Sequence, residues 1–157
     1  MKKDWHLLLI EDNPADMRLM LEAQREAGLD GLVITSMAYD GEEAFALLDE
    51  AKAKGQYFDM ILLDLNMPKI SGKEILSAIK TEPLHDNTKV FVLTNSDYKN
   101  DMVECYNLKA DAYIQKPTDF KRLVDFFSCV KNSIITNQRL SVLQIERSYY
   151  EELAGQA

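Results

Sequence analysis

Cysteine, proline and glycine are scarce in this 157-residue sequence, which contains two, four and six of them. The cysteines, Cys105 and Cys129, do not have a metal-ligand spacing, and we expect reduced, partly buried thiols in a cytosolic protein. No low-complexity tract and no internal repeat is found, so the sequence indicates neither a linker-rich nor a repetitive architecture.

Basic residues are fewer than acidic ones, with 18 Lys and Arg against 26 Asp and Glu and a formal net charge of -8. This balance argues against a general nucleic-acid-binding protein, because contacts to phosphates need clustered Lys and Arg. It permits a cation site and basic protein partners. We therefore expect no nucleic-acid partner.

Long hydrophobic runs are also absent. No apolar stretch approaches the length of a membrane span, and the chain does not open with the charged-then-apolar pattern of a signal peptide. These features predict a soluble cytoplasmic protein without a membrane partner. The length fits one compact domain with a short extension, and a hydrophobic content of 46% is enough for a core.

Five short apolar runs predict β-strands, at residues 6–11, 32–37, 58–64, 89–94 and 112–115. The third and fourth are nearly continuous in Ile, Leu, Val and Phe. Such runs are typical of parallel strands that are buried on both faces.

Longer helical patterns separate these runs. Asn13-Pro14 opens the first helix, with a capping residue followed by proline at the first helical position, and Gly28 ends it. The further helices are predicted at about 41–54, 71–81, 99–108 and 119–133. In the first, the inward residues are predicted to be Met17, Leu21, Gln24 and Ala27. In the last, they are Leu123, Phe126, Phe127, Val130 and Ile134.

Alternating strands and helices predict an α/β doubly wound fold, a mostly parallel sheet with helices on both faces. Ligands of such sheets bind beyond the carboxyl ends of the strands. The predicted strands place five chemically active residues at those ends: Glu11, Asp12, Asp64, Thr94 and Lys116. We expect one site there.

The residue types at these ends favour a metal-assisted phosphate site. Asp12 and Asp64 supply hard oxygen ligands for Mg²⁺, with the backbone carbonyl of Asn66 and, through a water, Glu11 as further ligands. Lys116 and the hydroxyl of Thr94 would contact phosphate oxygens. Asp64 is the predicted nucleophile, because aspartate can carry a phosphoryl group as an acyl phosphate.

Each residue also has a plainer interpretation. The acidic segment before Pro14 is typical of a helix cap, Asp64 of a turn with Asn66 and Pro68, and Lys116 of a solvated surface lysine. The ordered occurrence of all of them at strand ends is what favours the site.

The motifs Leu9–Asn13, Leu62–Pro68 with Gly72, Val92–Thr94 and Lys116-Pro117 resemble those of response-regulator receiver domains of two-component signalling. The resemblance spans residues 5–133. It implies a flavodoxin-like (βα)5 fold with five parallel strands in the order 2-1-3-4-5. The segments 12–16, 65–69 and 93–97 are most similar to single-domain regulators of the cyanobacterial phytochrome type.

The resemblance also implies roles. Asp64 would accept phosphate from a sensor histidine kinase, of the phytochrome type, while Mg²⁺ is bound by Asp12, Asp64 and Asn66 with help from Glu11. Lys116 and Thr94 would contact the phosphoryl group. Tyr113 matches the family's switch aromatic and would rotate inward. Its plainer interpretation is packing on a half-buried edge strand.

Three positions depart from the family pattern. Asn95 stands where the family usually has a smaller residue, and we expect it to narrow access to Asp64 and change the rates of phosphorylation or dephosphorylation. Ser71 replaces an acidic residue that often precedes the glycine, and Ser96 replaces a charged one.

The domain prediction is a receiver domain at 1–133 and a C-terminal helical extension at 134–157, too short for a DNA-binding output domain. An apolar stripe at Val142, Ile145, Tyr149 and Leu153 predicts a helix that would form a homodimer contact. Folding back on the domain, docking another protein, or a frayed tail are the alternatives.

The leading function is therefore a stand-alone phospho-switch, a signalling protein and not an enzyme. One rival is an aspartate-nucleophile phosphohydrolase. Such enzymes usually have a second acid two residues after the nucleophile, and Asn66 cannot protonate a leaving group. The other rival is a pseudo-receiver that binds partners without being phosphorylated, against which the complete residue set argues.

Overall fold

Five strands and five α-helices alternate along the chain in the computed structural model. The structure describes residues 4–95, 99–117 and 119–135. The strands are β1 (Trp5–Ile10), β2 (Val33–Ala38), β3 (Met60–Leu63), β4 (Lys89–Thr94) and β5 (Ala112–Gln115). The helices are α1 (Pro14–Glu26), α2 (Gly41–Ala53), α3 (Gly72–Thr81), α4 (Lys99–Asn107) and α5 (Phe120–Ile135). A single 3₁₀ turn, Pro83–His85, follows α3.

The five strands form one parallel sheet in the order β2-β1-β3-β4-β5. This order confirms the doubly wound fold that the resemblance implied. The predicted strand positions are also confirmed, with ends that differ by one or two residues. Glu11 and Asp64 each lie just beyond their strands, because the regular ladder ends at the pair Ile10 and Leu63.

A hydrophobic core lies on each face of the sheet, because successive residues of a buried strand point to opposite sides. Leu7 and Leu9 of β1 pack with α1 and α5, whereas Leu8 and Ile10 pack with α2, α3 and part of α4. The stripe predicted for α5 is confirmed, with four of its residues buried and Ile134 partly so.

Helix α1 begins where the Asn13-Pro14 pair predicted. The Asn13 side chain accepts hydrogen bonds from the backbone N–H groups of Ala15 and Asp16, at 2.9 and 3.2 Å. Gly28 follows the helix with a φ of 83°, a conformation that costs glycine little. The inward face is wider than predicted, because Met20 and Ala23 are buried as well, while Leu21 is only partly buried.

Helix α3 begins one residue later than predicted, because Ser71 is its cap and not its first residue. The Ser71 hydroxyl accepts from the Glu74 N–H at 3.3 Å. Gly72 then packs against the loop after β3, where an added Cβ would lie 2.5 Å from the Asp64 carbonyl oxygen. Glycine at this position is what allows α3 to start directly against the segment that carries Asp64.

Neither cysteine forms a disulfide bond with another described residue, which agrees with the predicted reduced thiols. Cys105 is fully buried and Cys129 is partly so. Burial raises the pKa of the Cys105 thiol to about 11. Within the described ranges, no helix has the length and hydrophobicity needed to cross a membrane. The predicted C-terminal helix and Ser96 lie outside the described residues.

Candidate phosphoacceptor and metal site

The predicted site residues meet at the carboxyl edge of the sheet. Glu11 follows β1, Asp64 follows β3, Thr94 ends β4 and Lys116 follows β5. The register places Ile10 beside Leu63 and Leu63 beside Val92, so these strands end at neighbouring positions. Backbone hydrogen bonds continue past the ladder, from the Asp64 N–H to the Ile10 carbonyl at 3.0 Å and from the Lys116 N–H to the Thr94 carbonyl at 2.7 Å.

Three carboxylates form the centre of the site. Glu11, Asp12 and Asp64 each offer an oxygen atom, and these atoms lie within 4.8 Å of one another. Glu11 is 1% exposed and Asp64 is 7% exposed, whereas Asp12 is partly exposed. Buried carboxylates so close together repel one another, and hard oxygen donors of this kind fit Mg²⁺ or a similar divalent cation. The donor set therefore fits the predicted metal.

Lys116 supplies positive charge within the protein itself. Its Nζ lies 2.6 Å from Glu11 Oε2, 3.0 Å from Asp16 Oδ2 and 3.4 Å from Asp64 Oδ2. Burial by itself would lower the pKa of Lys116, but the hydrogen bonds to Glu11 and Asp16 raise it above the ordinary lysine value. The side chain is 10% exposed, so the interpretation as a solvated surface lysine is wrong.

Glu11 is an acid whose ionisation is made harder by its surroundings. Burial raises its pKa to about 7, and the negative charge of Asp64 acts in the same direction. The hydrogen bond from Lys116 opposes this shift without cancelling it. Near neutral pH the carboxyl group therefore gives up a proton readily when a cation arrives.

The loop after β3 orients Asp64. The Asn66 N–H donates to Asp64 Oδ1 at 3.1 Å, while Asp64 Oδ2 faces Lys116. The Asn66 side-chain amide donates to the buried Thr94 hydroxyl oxygen at 3.4 Å. This contact was not predicted, since Asn66 was considered as a metal ligand through its backbone carbonyl, as a turn residue and as a residue unable to protonate a leaving group.

Tyr113 lies on β5 with a side chain that is 7% exposed. It packs in the core beneath α3 and α4, beside Val92 of the neighbouring strand. The aromatic ring of this edge-strand residue therefore packs inside the domain, as its plainer interpretation expected, although it is more deeply buried than a half-buried strand would give. Its role as a switch stays a prediction.

Asp16 is the residue of this site that sequence reasoning did not assign. It lies in the first turn of α1, where an acidic residue is ordinarily explained by the helix dipole. The available signal was its place in the first turn of a helix that begins directly after Glu11, Asp12 and the capping residue Asn13, near the same edge of the sheet. The contact to Lys116, 100 positions away, is visible only in the fold.

Beside the carboxylates, a cavity of about 240 Å³ opens between the loops after β1, β2 and β3. Asp12, Tyr39, Lys69 and Ile70 are among the residues that line it. Ile70 packs so closely on Gly41 that an added Cβ there would lie 2.6 Å from the isoleucine side chain. Asp12 is thus reachable from solvent on this side.

A buried carboxylate thus lies beside an ammonium and two further carboxylates at the switch point of a doubly wound sheet, which is the arrangement expected of a receiver domain. The profile of the response regulator receiver domain matches residues 7–128. The chain belongs to this family, the receiver domains of two-component signalling.

Among curated proteins, the chain is similar to the response regulator Rcp1 of Synechocystis, with 36% identity over 122 residues that cover 74% of this chain and 80% of Rcp1. It is also 34% identical to a probable methanogenesis regulatory protein, FilR2 of Methanothrix harundinacea, over 74% of this chain and 75% of that one.

Two solved structures of response regulators are also similar to this chain. The phosphorylated cyanobacterial phytochrome response regulator RcpA is 32% identical, with a TM-score of 0.75, over 86% of this chain and 96% of RcpA. The Mn²⁺-bound form of Rcp1 is also 32% identical, with a TM-score of 0.69, over 82% and 92% of the two chains.

Proposed function

We propose that this response regulator accepts a phosphoryl group on Asp64 from a sensor histidine kinase and signals through altered protein contacts. The geometry of Asp64 supports the proposal most directly. Its carboxylate is 7% exposed, is oriented by the Asn66 N–H, and faces the ammonium of Lys116 at 3.4 Å. The likeness to phosphorylated RcpA agrees with it.

Glu11, Asp12 and Asp64 would hold Mg²⁺, and the backbone carbonyl of Asn66 is the further ligand that we propose. The bound ion would neutralise charge around the incoming phosphoryl group. The clustered carboxylate oxygens support this assignment, as does the likeness to Mn²⁺-bound Rcp1.

In the transfer step, an Asp64 carboxylate oxygen attacks the phosphorus of a phosphohistidine. A P–O bond to Asp64 forms while the P–N bond to the imidazole breaks, and the leaving nitrogen takes a proton from the solvent. The Lys116 ammonium and the Thr94 hydroxyl would donate to phosphoryl oxygens. The proposed output follows from movement of Thr94 and Tyr113, which changes the surface of α4, β5 and α5.

The proposed setting is the cytoplasm, with a kinase of the phytochrome type as the phosphate donor. The phytochrome response regulators that this chain resembles support that partner. A phosphohydrolase is disfavoured because the Asn66 amide is too weak an acid to protonate a leaving group, and it already donates a hydrogen bond to Thr94.

Incubation with Mg²⁺ and acetyl phosphate tests the assignment. We expect one hydroxylamine-sensitive phosphate per chain, measured by intact mass, and none on the Asp64→Asn variant. Asp49→Asn is the matched control, because Asp49 is an exposed aspartate on α2. Full labelling of Asp64→Asn would reject the assignment, and an unlabelled wild-type chain would favour the pseudo-receiver.

We also propose that residues 134–157 form a helical extension to the receiver domain at 1–133 and mediate a homodimer. Support comes from the apolar stripe in that segment, whose first two residues are the last two of α5. Sedimentation of residues 1–135 beside the full chain decides the point. We expect a monomer for the shorter chain and a dimer for the longer one. The same number of chains per particle for both proteins at matched concentration would reject the homodimer.

A further inference from the structure

Lys116 has more acidic neighbours than a phosphate-contacting lysine requires. Its ammonium group carries three N–H donors, and three carboxylates accept from it. The two shorter contacts go to Glu11 at 2.6 Å and Asp16 at 3.0 Å, while the contact to Asp64 is 3.4 Å. The nucleophile is thus the most loosely bound of the three.

We propose that Asp16 is a positioning residue for Lys116, which together with Glu11 holds the ammonium so that its third N–H faces Asp64. This inference rests on the proposed function of Asp64 as the phosphoacceptor. When the phosphoryl group arrives, the weak third contact is exchanged for one to a phosphoryl oxygen. The two shorter contacts keep Nζ in place during that exchange.

The start of α1 gives Asp16 a defined position. Asn13 binds the N–H groups of Ala15 and Asp16, and Pro14 restricts the first helical residue. An acid that served only the helix dipole would need no side-chain partner, whereas Asp16 reaches Lys116 from the opposite end of the chain. Asp16 is one-third exposed, so the ammonium is held on its solvent side by this residue.

Asp16 lies outside the cluster of Glu11, Asp12 and Asp64 that fits a cation. Replacing Asp16 should therefore change the affinity for a phosphoryl group more than the affinity for a metal ion. For Asp16→Ala we expect binding of beryllofluoride, a phosphoryl mimic, to weaken about tenfold, the scale of one charge-assisted hydrogen bond. Binding of Mg²⁺ alone should change by about twofold or less, through the loss of one distant charge.

Calorimetry and NMR titration with Mg²⁺ and beryllofluoride measure both affinities. Asp16→Glu should restore most of the loss, because it returns the carboxylate, whereas Asp16→Asn should restore little. Glu22→Gln is the matched control on the same helix, since Glu22 pairs only with the exposed Arg18 among the described residues. Equal losses of Mg²⁺ and beryllofluoride affinity in Asp16→Ala would overturn the proposal.

A double-mutant cycle shows whether Asp16 acts through Lys116. In a Lys116→Met background, Asp16→Ala should have little further effect on beryllofluoride binding. The same tenfold loss in that background would contradict the proposal, because it would assign the effect to another contact.

A separate measurement is independent of phosphorylation. The ¹⁵N resonance of the Lys116 ammonium, recorded without metal or phosphoryl mimic, should broaden or shift in Asp16→Ala and stay unchanged in Glu22→Gln. An unchanged ¹⁵N resonance in Asp16→Ala would contradict the positioning role of Asp16. Failure of the wild-type chain to bind beryllofluoride would instead reject the proposed function, leaving the test of the Asp16 contact intact.

Discussion

Lys116 illustrates how single residues of this site balance opposing electrostatic costs. An ammonium that is 10% exposed loses most of its hydration, and three carboxylates offset that loss. The carboxylates in turn would repel one another without it. Each charge in the site is therefore stabilised by the others, and replacing one changes the behaviour of the rest.

Lys116→Ala tests the role of this residue. We expect the variant to retain most of its Mg²⁺ affinity, because Glu11, Asp12 and Asp64 are unchanged, but to lose the coupling between phosphorylation and partner binding. Titration with Mg²⁺ and a partner-binding assay with and without acetyl phosphate measure the two effects. Unchanged signalling in this variant would contradict the role given to Lys116.

At the scale of elements, the junction between β3 and α3 sets the position of Asp64. The Gly72 N–H donates to the Leu65 carbonyl at 3.2 Å, and the missing side chain lets the helix approach the loop. The loop cannot move outward without breaking the Asp64 bond to Ile10 in the sheet. Helix, loop and strand are thus tied together at Asp64, the proposed phosphoacceptor.

Gly72→Ala should disturb this junction. The added methyl group would lie 2.5 Å from the Asp64 carbonyl oxygen and 2.6 Å from Leu65 Cα, both of which are backbone atoms. We expect a loss of about 1–3 kcal/mol in the free energy of unfolding, typical of overpacking, and slower phosphorylation of Asp64. Urea denaturation and labelling rates measure these effects.

Ser77→Ala, in the middle of α3, is the control and should change stability by about 0.5 kcal/mol or less. A Gly72→Ala protein as stable and as reactive as the wild type would contradict this prediction. It would show that the backbone at the junction can shift without a loss of stability.

The ends of the helices were predictable where the residues that mark them lie close together in the sequence. Asn13-Pro14 and Gly28 marked both ends of α1, and Pro83 marked the end of α3. The 3₁₀ turn at Pro83–His85 was not predicted, because three residues are too few to show a hydrophobic period. Ser71 and Asp119 were assigned to helices, although they cap them from outside.

For the molecule as a whole, His85 links stability to pH. It is 4% exposed, and its Nδ1 has no hydrogen-bond partner among the residues that the structure describes. Burial lowers the pKa of His85, with the positive charge of Lys52 acting in the same direction and the negative charge of Glu82 opposing. Below its ordinary value of about 6.5, the unfolded chain binds a proton that the folded domain binds less readily.

The contribution of His85 to stability is therefore present above pH 6.5 and is lost as the pH falls through the lowered folded-state pKa. We expect the free energy of unfolding of His85→Gln to depend less on pH than that of the wild type between pH 7 and 5. Urea unfolding at several pH values measures this. Parallel pH profiles for the two proteins would show that His85 does not titrate differently on folding.

The sequence by itself determined the element order, the buried strands and the residues at their carboxyl ends, because hydrophobic period and end signals are local. It thereby identified Glu11, Asp12, Asp64, Thr94 and Lys116 as neighbours. Only the tertiary structure decided how they touch: that Lys116 is buried, that Asp16 binds it, and that Asn66 reaches Thr94. The contacts of Asn66 and Asp16 join residues 28 and 100 positions apart, and they depend on strand register and helix packing.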